Sequence, residues 1–103
     1  MEAYAKILGK DFQAFVRTLR VSLGRGRLGP EFIDLGDDPA VSRVQAEVFW
    51  DQEKRVFVIR NLGRNGIMCN KKLLRSGEFS ELFNKCPLKI GKFCLYFLLP
   101  VKG

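Results

Sequence analysis

Histidine is absent from this 103-residue sequence. With it go the commonest general base and the usual partner of a Ser or Cys nucleophile, so no triad is expected and an enzyme would have to work with carboxylates or lysines alone. Cysteine is scarce. Cys69, Cys86 and Cys94 are widely spaced, form no C-x-x-C pair and have no His to complete a zinc site, so neither a metal nor a cofactor is implied. They read as reduced cytosolic or nuclear thiols, acting as small hydrophobes in or beside apolar strands. Long apolar runs are missing too. The longest uncharged one, Phe93 to Val101, is nine residues with Pro100 inside it, against roughly 17 to 25 for a membrane-spanning helix. The opening Met1-Glu2-Ala3-Tyr4-Ala5-Lys6 lacks the basic-then-apolar pattern of a secretory signal. The expectation is an intracellular chain without a membrane partner, or one that has been trimmed.

What is present is enough to fold. Hydrophobic residues make up 47% of the chain and aromatics 12%, nine of them Phe, which is too apolar for a disordered tail. The length suits a single domain over residues 1–103, burying roughly two-thirds of its unfolded surface. No repeat, low-complexity tract or linker divides it. Eighteen Lys and Arg against eleven Asp and Glu give a net charge of +7, which favours nucleic acid, acidic lipid or phosphorylated protein without choosing between them.

Helix-length periodicity is absent, and short apolar stretches alternate with turn residues, the pattern of an all-β sandwich or barrel. Across Val44–Asp51, Val44, Ala46, Val48 and Trp50 share one face and are expected to point inward; Trp50 on that face reads as core rather than as a base-stacking platform. The polar turn Asp51-Gln52-Glu53-Lys54 then leads to a return strand, Arg55–Ile59. Further strands are expected at Ala3–Leu8, Arg20–Leu23, Ile33–Leu35, Ile67–Cys69, Lys72–Leu74, Leu88–Ile90 and Phe93–Leu98. The last is apolar on both faces and therefore central. Lys10–Phe15 is open between a short helix and an irregular strand. Gly26–Glu31 reads as a loop. Asn65-Gly66 suits a turn with left-handed backbone, and Asn70-Lys71 suits a tight hairpin turn whose Lys71-Lys72 pair is solvated.

A strand scaffold puts function on its loops. Three stand out: Gly24-Arg25-Gly26-Arg27, Val41-Ser42-Arg43 and Arg64-Asn65-Gly66. Together they offer guanidinium forks, a hydroxyl, an amide and glycine backbone, the equipment for gripping a doubly charged tetrahedral anion. A phosphate is the expected ligand.

In order and spacing these motifs resemble those of the forkhead-associated (FHA) domain, a phosphothreonine-binding module, over nearly the whole chain. The wording is nearest the subgroup found in fork-head-type transcriptional regulators. There Ile-Ser-Arg-x-His-Ala, Leu-Gly-Lys-Asn-Gly and Phe-Leu-Leu-Pro recur. Here they stand as Val41-Ser42-Arg43-Val44-Gln45-Ala46, Leu62-Gly63-Arg64-Asn65-Gly66 and Phe97-Leu98-Leu99-Pro100.

The resemblance implies an all-β, FHA-type (SMAD/FHA-like) sandwich of two antiparallel sheets with its functional loops at one apex. It implies a nuclear, non-catalytic module that recruits a phosphothreonine-containing protein marked by a kinase. Nucleic acid would be reached only through other parts of a longer protein. Arg25 would pair with the phosphate and the Ser42 hydroxyl would bond one of its oxygens. Arg43 stands where the family also touches the peptide. Asn65 would bond the peptide main chain, with Gly66 permitting the turn that aims it, and Arg64 could add a second phosphate contact. One residue departs from the pattern: Gln45 replaces the usual His, so an amide must tie the Ser42 loop to its neighbour. Two other readings stand beside this one. One is a basic β-domain that binds nucleic acid directly, and the other is a family member used as a phosphate-independent interaction surface.

Overall fold

The computed structural model describes residues 3–26, 29 and 31–100. Among them are eleven strands and no helix: β1 (Ala5–Leu8), β2 (Gln13–Val16), β3 (Arg20–Gly24), β4 (Phe32–Asp34), β5 (Ala46–Asp51), β6 (Val56–Asn61), β7 (Ile67–Cys69), β8 (Lys72–Leu74), β9 (Phe79–Glu81), β10 (Cys86–Ile90) and β11 (Phe93–Leu98). They form a six-stranded sheet in the order β2-β1-β11-β10-β7-β8 and a five-stranded sheet in the order β4-β3-β5-β6-β9. Pairing is antiparallel apart from β3 with β4, which run parallel.

The period-two alternation in the sequence becomes the inner and outer faces of the sheets. Ala5 and Ile7 are buried while Lys6 and Leu8 are partly exposed. Leu23, Val48 and Ile59 of the smaller sheet join Ile7, Ile90 and Phe97 of the larger in one buried cluster. Burying a side chain of this size contributes about 1.5 to 3 kcal/mol. Phe57 links the layers, with its ring 5.7 Å from that of Phe97 and 5.1 Å from that of Trp50, which meets it edge-on. Trp50 thus packs against the core, as its register indicates.

The β5–β6 hairpin turns where its polar residues stand. The Asp51 Oδ1 atom accepts bonds from the backbone N–H groups of Glu53 and Lys54, and Arg55 takes φ 56° to close the turn. The ambiguous segment after Lys10 resolves as a short link followed by β2. Strand β9 is an addition, three residues at the sheet edge, too short to carry a pattern. Val44 departs from its expected inward position. The strand begins only at Ala46, and Val44 lies on the preceding bend, 37% exposed, because Gln45 takes the buried place beside Ala46.

Strand β11 lies third of six, yet only its inner face is covered; Cys94 and Tyr96 look outward. Cys69 and Cys86 are buried with Sγ atoms 3.8 Å apart, and burial pushes the Cys86 thiol up to about 11. Cys94 lies on strand β11 as a small side chain but is exposed, whereas Cys69 and Cys86 take the core places. Lys6 stands opposite Leu98, at the end of the sandwich remote from the β10–β11 turn.

Candidate functional site

The β3–β4, β4–β5 and β6–β7 loops meet at one end of the sandwich. Gly24 makes the first junction possible. A Cβ there would overlap the Arg43 carbonyl oxygen and lie 2.8 Å from that of Ser42, so only glycine lets the two chains pass. The contact is sealed by the Arg25 N–H donating to the Ser42 carbonyl at 3.1 Å and the Arg25 Nε donating to the Val41 carbonyl at 3.0 Å. With Nε engaged, the two terminal nitrogens of the guanidinium have no partner among the described residues.

A buried amide pair fastens the second junction. Gln45 is 1% exposed and Asn61 0%. Gln45 Oε1 accepts the Ser42 N–H at 2.8 Å, while Nε2 donates to Asn61 Oδ1 at 2.8 Å and to the Asn65 carbonyl at 2.9 Å. Asn61 Nδ2 donates to the carbonyls of Asn65 and Leu74, and its Oδ1 also accepts the Gly63 N–H. Each side-chain heteroatom of the pair has a partner, as burial demands. Gln45 thus ties the Ser42 loop to the Asn65 loop, and it does so without an ionisable group. Gly63 is confined for the same reason, since a Cβ there would overlap the Gln45 amide.

Asp38 anchors the third side. Its Oδ1 accepts the Ala40 N–H and its Oδ2 the Lys92 N–H, both at 2.9 Å. These backbone donors, Ala40 first and Lys92 second, hold its carboxyl below the usual aspartate value, the Lys92 charge assisting and burial opposing. Gly91 closes the β10–β11 turn at φ 57° against this carboxylate. Asp34 Oδ1 similarly accepts the N–H groups of Gly26 and Gly36.

On this frame the anticipated residues come together. Ser42 Oγ accepts the Arg64 N–H at 3.2 Å, leaving the hydroxyl proton free to donate outward. Asn65 Nδ2 donates to the Ala40 carbonyl at 2.8 Å, leaving its Oδ1 and second amide proton available. Arg25, Arg43 and Arg64 enter no ion pair among the described residues. Arg27 lies outside the described residues. Two expectations need correction. Neither Asn65 nor Gly66 has left-handed backbone; Gly66 is needed for space, since a Cβ would come within 2.8 Å of Leu73 Cδ1 and 3.2 Å of the Leu74 carbonyl. Left-handed backbone occurs instead at Asn70, φ 58°, in the β7–β8 turn. Asn61 and Asp38 were not singled out. A polar Asn closing the strand just beyond the apolar run Val56–Ile59 is a signal for the first, while only long-range contacts reveal the second.

A family model described as the FHA domain matches residues 21–91. The chain belongs to the FHA domain family. It is 33% identical over 105 residues to Transcriptional activator FHA1 of Nicotiana tabacum, covering 97% of this chain and 50% of that protein. Fork head protein homolog 2 of Schizosaccharomyces pombe is 32% identical over 111 residues, covering 97% of this chain and 17% of that protein. The chain thus spans half or less of these relatives.

Among solved structures, the N-terminal FHA domain of S. cerevisiae Rad53p in complex with a phosphothreonine peptide superimposes with a TM-score of 0.78 at 12% identity, covering 94% of each chain. The MEK1 FHA domain in complex with a HOP1 phosphothreonine peptide does so with a TM-score of 0.75 at 18% identity, covering 97% of this chain and 100% of that one. At these identities the likeness establishes the FHA sandwich. In this FHA domain the three loops form one cationic surface, with neutral amides beneath it.

Proposed function

We propose that this FHA domain is a reader of phosphothreonine peptides without catalytic activity of its own. The observation that carries the reading is the meeting of three loops at Ser42: the Arg25 N–H donates to its carbonyl, the Arg64 N–H donates to its hydroxyl oxygen, Arg43 follows it in the chain, and none of the three arginines has a carboxylate partner among the described residues. Arg25 supplies two free guanidinium nitrogens to the phosphate, Ser42 donates its hydroxyl proton, and Arg43 and Arg64 add positive charge at the rim. Asn65, held by Ala40, bonds the main chain of the peptide, with Gly66 fitting under Leu73. A phosphothreonine brings nearly two negative charges at neutral pH, and charge-assisted bonds to it exceed neutral ones in strength. Preference over phosphoserine rests on the threonine methyl, whose burial is worth about 0.8 kcal/mol, roughly fourfold in affinity.

The wider role follows the relatives, which include fork-head homologues and transcriptional regulators. We assign the domain to a nuclear regulator, in which a kinase marks a partner and these loops recruit it. The test is calorimetric titration against a degenerate phosphothreonine peptide library, with phosphoserine and unphosphorylated controls at two salt concentrations. Binding should require the phosphate and favour threonine. Arg25→Ala should weaken it by about 10- to 150-fold, the loss of hydrogen bonds worth about 1.5 to 3 kcal/mol to a charged group, while leaving the fold intact. Absence of phosphate-dependent binding by the folded protein refutes the reading.

A further inference from the structure

The two sheets differ in charge. The strands of the five-stranded sheet carry Asp34, Glu47, Asp51 and Glu81, and Glu47 and Glu81 are paired with Arg20 and Lys54. The strands of the six-stranded sheet contain no Asp or Glu, only Lys6, Lys72 and Lys89. None of these lysines has an ion-pair partner among the described residues.

The outer face of the larger sheet is also apolar. The register sets Leu73, Met68, Lys89 and Cys94 side by side in one row, then Pro87, Tyr96, Leu8 and Gln13, then Leu98, Lys6 and Phe15. Leu73 and Tyr96 are each 51% exposed and Phe15 40%. A depression of about 220 Å³ bordered by Met68, Lys89 and Tyr96 lies toward one end. Another of about 500 Å³, bordered by Lys6, Arg17, Lys85 and Leu98, lies at the other. Both hollows therefore pair an apolar floor with a cation.

We propose that this face is a second docking surface, independent of phosphate, for an extended partner segment that presents apolar side chains and carboxylates together on one of its faces. Charge decides the occupant. A second copy of the chain would bring unpaired lysines against unpaired lysines, whereas an acidic segment neutralises them while its apolar residues cover Tyr96, Leu98 and Met68. The geometry sets the spacing. Lys89 and Lys6 are four residues apart along the strand direction and two strands apart across it, about 17 Å in all. An extended segment spans that with carboxylates about four to six residues apart, an even separation keeping both on the face that meets the sheet.

The probe is a synthetic unphosphorylated peptide in which every second residue is Leu, Phe or Glu, so that these share one face, with Ser between them, and a control in which every Glu is Lys. Binding is followed by amide chemical shifts and by iodoacetamide alkylation of Cys94, the one cysteine of the three that is exposed. The acidic peptide should bind saturably, shift the amides of Met68, Lys89, Tyr96 and Lys6 but not those of Ser42 and Asn65, and slow Cys94 alkylation. The double variant Lys6→Glu/Lys89→Glu should lose about tenfold or more in affinity for it and keep its affinity for a phosphothreonine peptide. Tyr96→Ser, a neutral change at an exposed position, should weaken it too and serves if the double variant fails to fold. Equal binding of the lysine peptide, shifts confined to the apical loops, no binding, concentration-dependent dimerisation through this face, or binding only to phosphatidylserine vesicles would each overturn the proposal. The phosphothreonine titration is read separately, so either surface can fail without the other.

Discussion

Replacing Gln45 by Ala tests the amide frame directly. The side chain makes three hydrogen bonds, to the Ser42 N–H, to Asn61 Oδ1 and to the Asn65 carbonyl. After the change Asn61 Oδ1 keeps the Gly63 N–H and the Asn65 carbonyl keeps Asn61 Nδ2, so the Ser42 N–H is the group left without its partner. At about 1 kcal/mol per bond the loss is about 3 kcal/mol. A domain of this size loses about 4 to 8 °C of Tm for each kcal/mol, so the midpoint should fall by about 12 to 24 °C. Urea unfolding followed by the fluorescence of Trp50, the single Trp, measures it.

Gln45→His, which installs the family's usual residue, should fall between the two. Neutral imidazole offers one donor and one acceptor, enough for two of the three bonds. Its protonation removes the acceptor that Ser42 needs, so the folded-state pKa is depressed and the stability of this variant is lost as pH falls through it. A Gln45→Ala protein within about 0.5 kcal/mol of the original would refute the assignment of the amide as the tie between the loops.

Three further outcomes follow from the same region. Asp38 has its pKa lowered by backbone donors, so its contribution is complete above its unfolded value of about 3.9 and is lost as pH falls through the lower folded value; the urea-midpoint gap between the original and Asp38→Asn should therefore narrow over that acid range. The chain contains no histidine, so calorimetric affinity for a phosphothreonine peptide should follow the second phosphate ionisation near pH 6 and weaken below it; a midpoint near 7 or above would show another group at work. Gly24→Ala drives a methyl into the Arg43 carbonyl and should cost about 1 to 3 kcal/mol in urea unfolding, with weakened phosphopeptide binding.

Most strand positions were legible because β5 alternates, β6 and β11 are short apolar runs, and turn residues punctuate them. Val44 misled because alternation says nothing about a polar residue that wins a buried place by hydrogen bonding, as Gln45 does. Asn65-Gly66 misled for a related reason. The pair is the strongest local signal for left-handed backbone, yet here Asn65 is held by Ala40 across the loop, and Gly66 serves a close approach to Leu73 that only the fold creates. The apical residues Arg25, Ser42 and Arg64 could be named from motif order. Gln45 could also be named from its place in the motif as the tie of the Ser42 loop, but Asp38 and Asn61 could not, because they act through partners 54 and 13 residues away in sequence.

The pairing of Lys6 with Leu98 has a mechanical meaning. Wherever such a domain sits within a longer polypeptide, the incoming and outgoing stretches leave from the same pole, opposite the ligand loops. Tension along that polypeptide would peel the hydrogen bonds between β1 and β11 apart one after another from that pole before it reached the apex. The reading surface would then be the last part to feel a pull and the first to meet whatever approaches from solution.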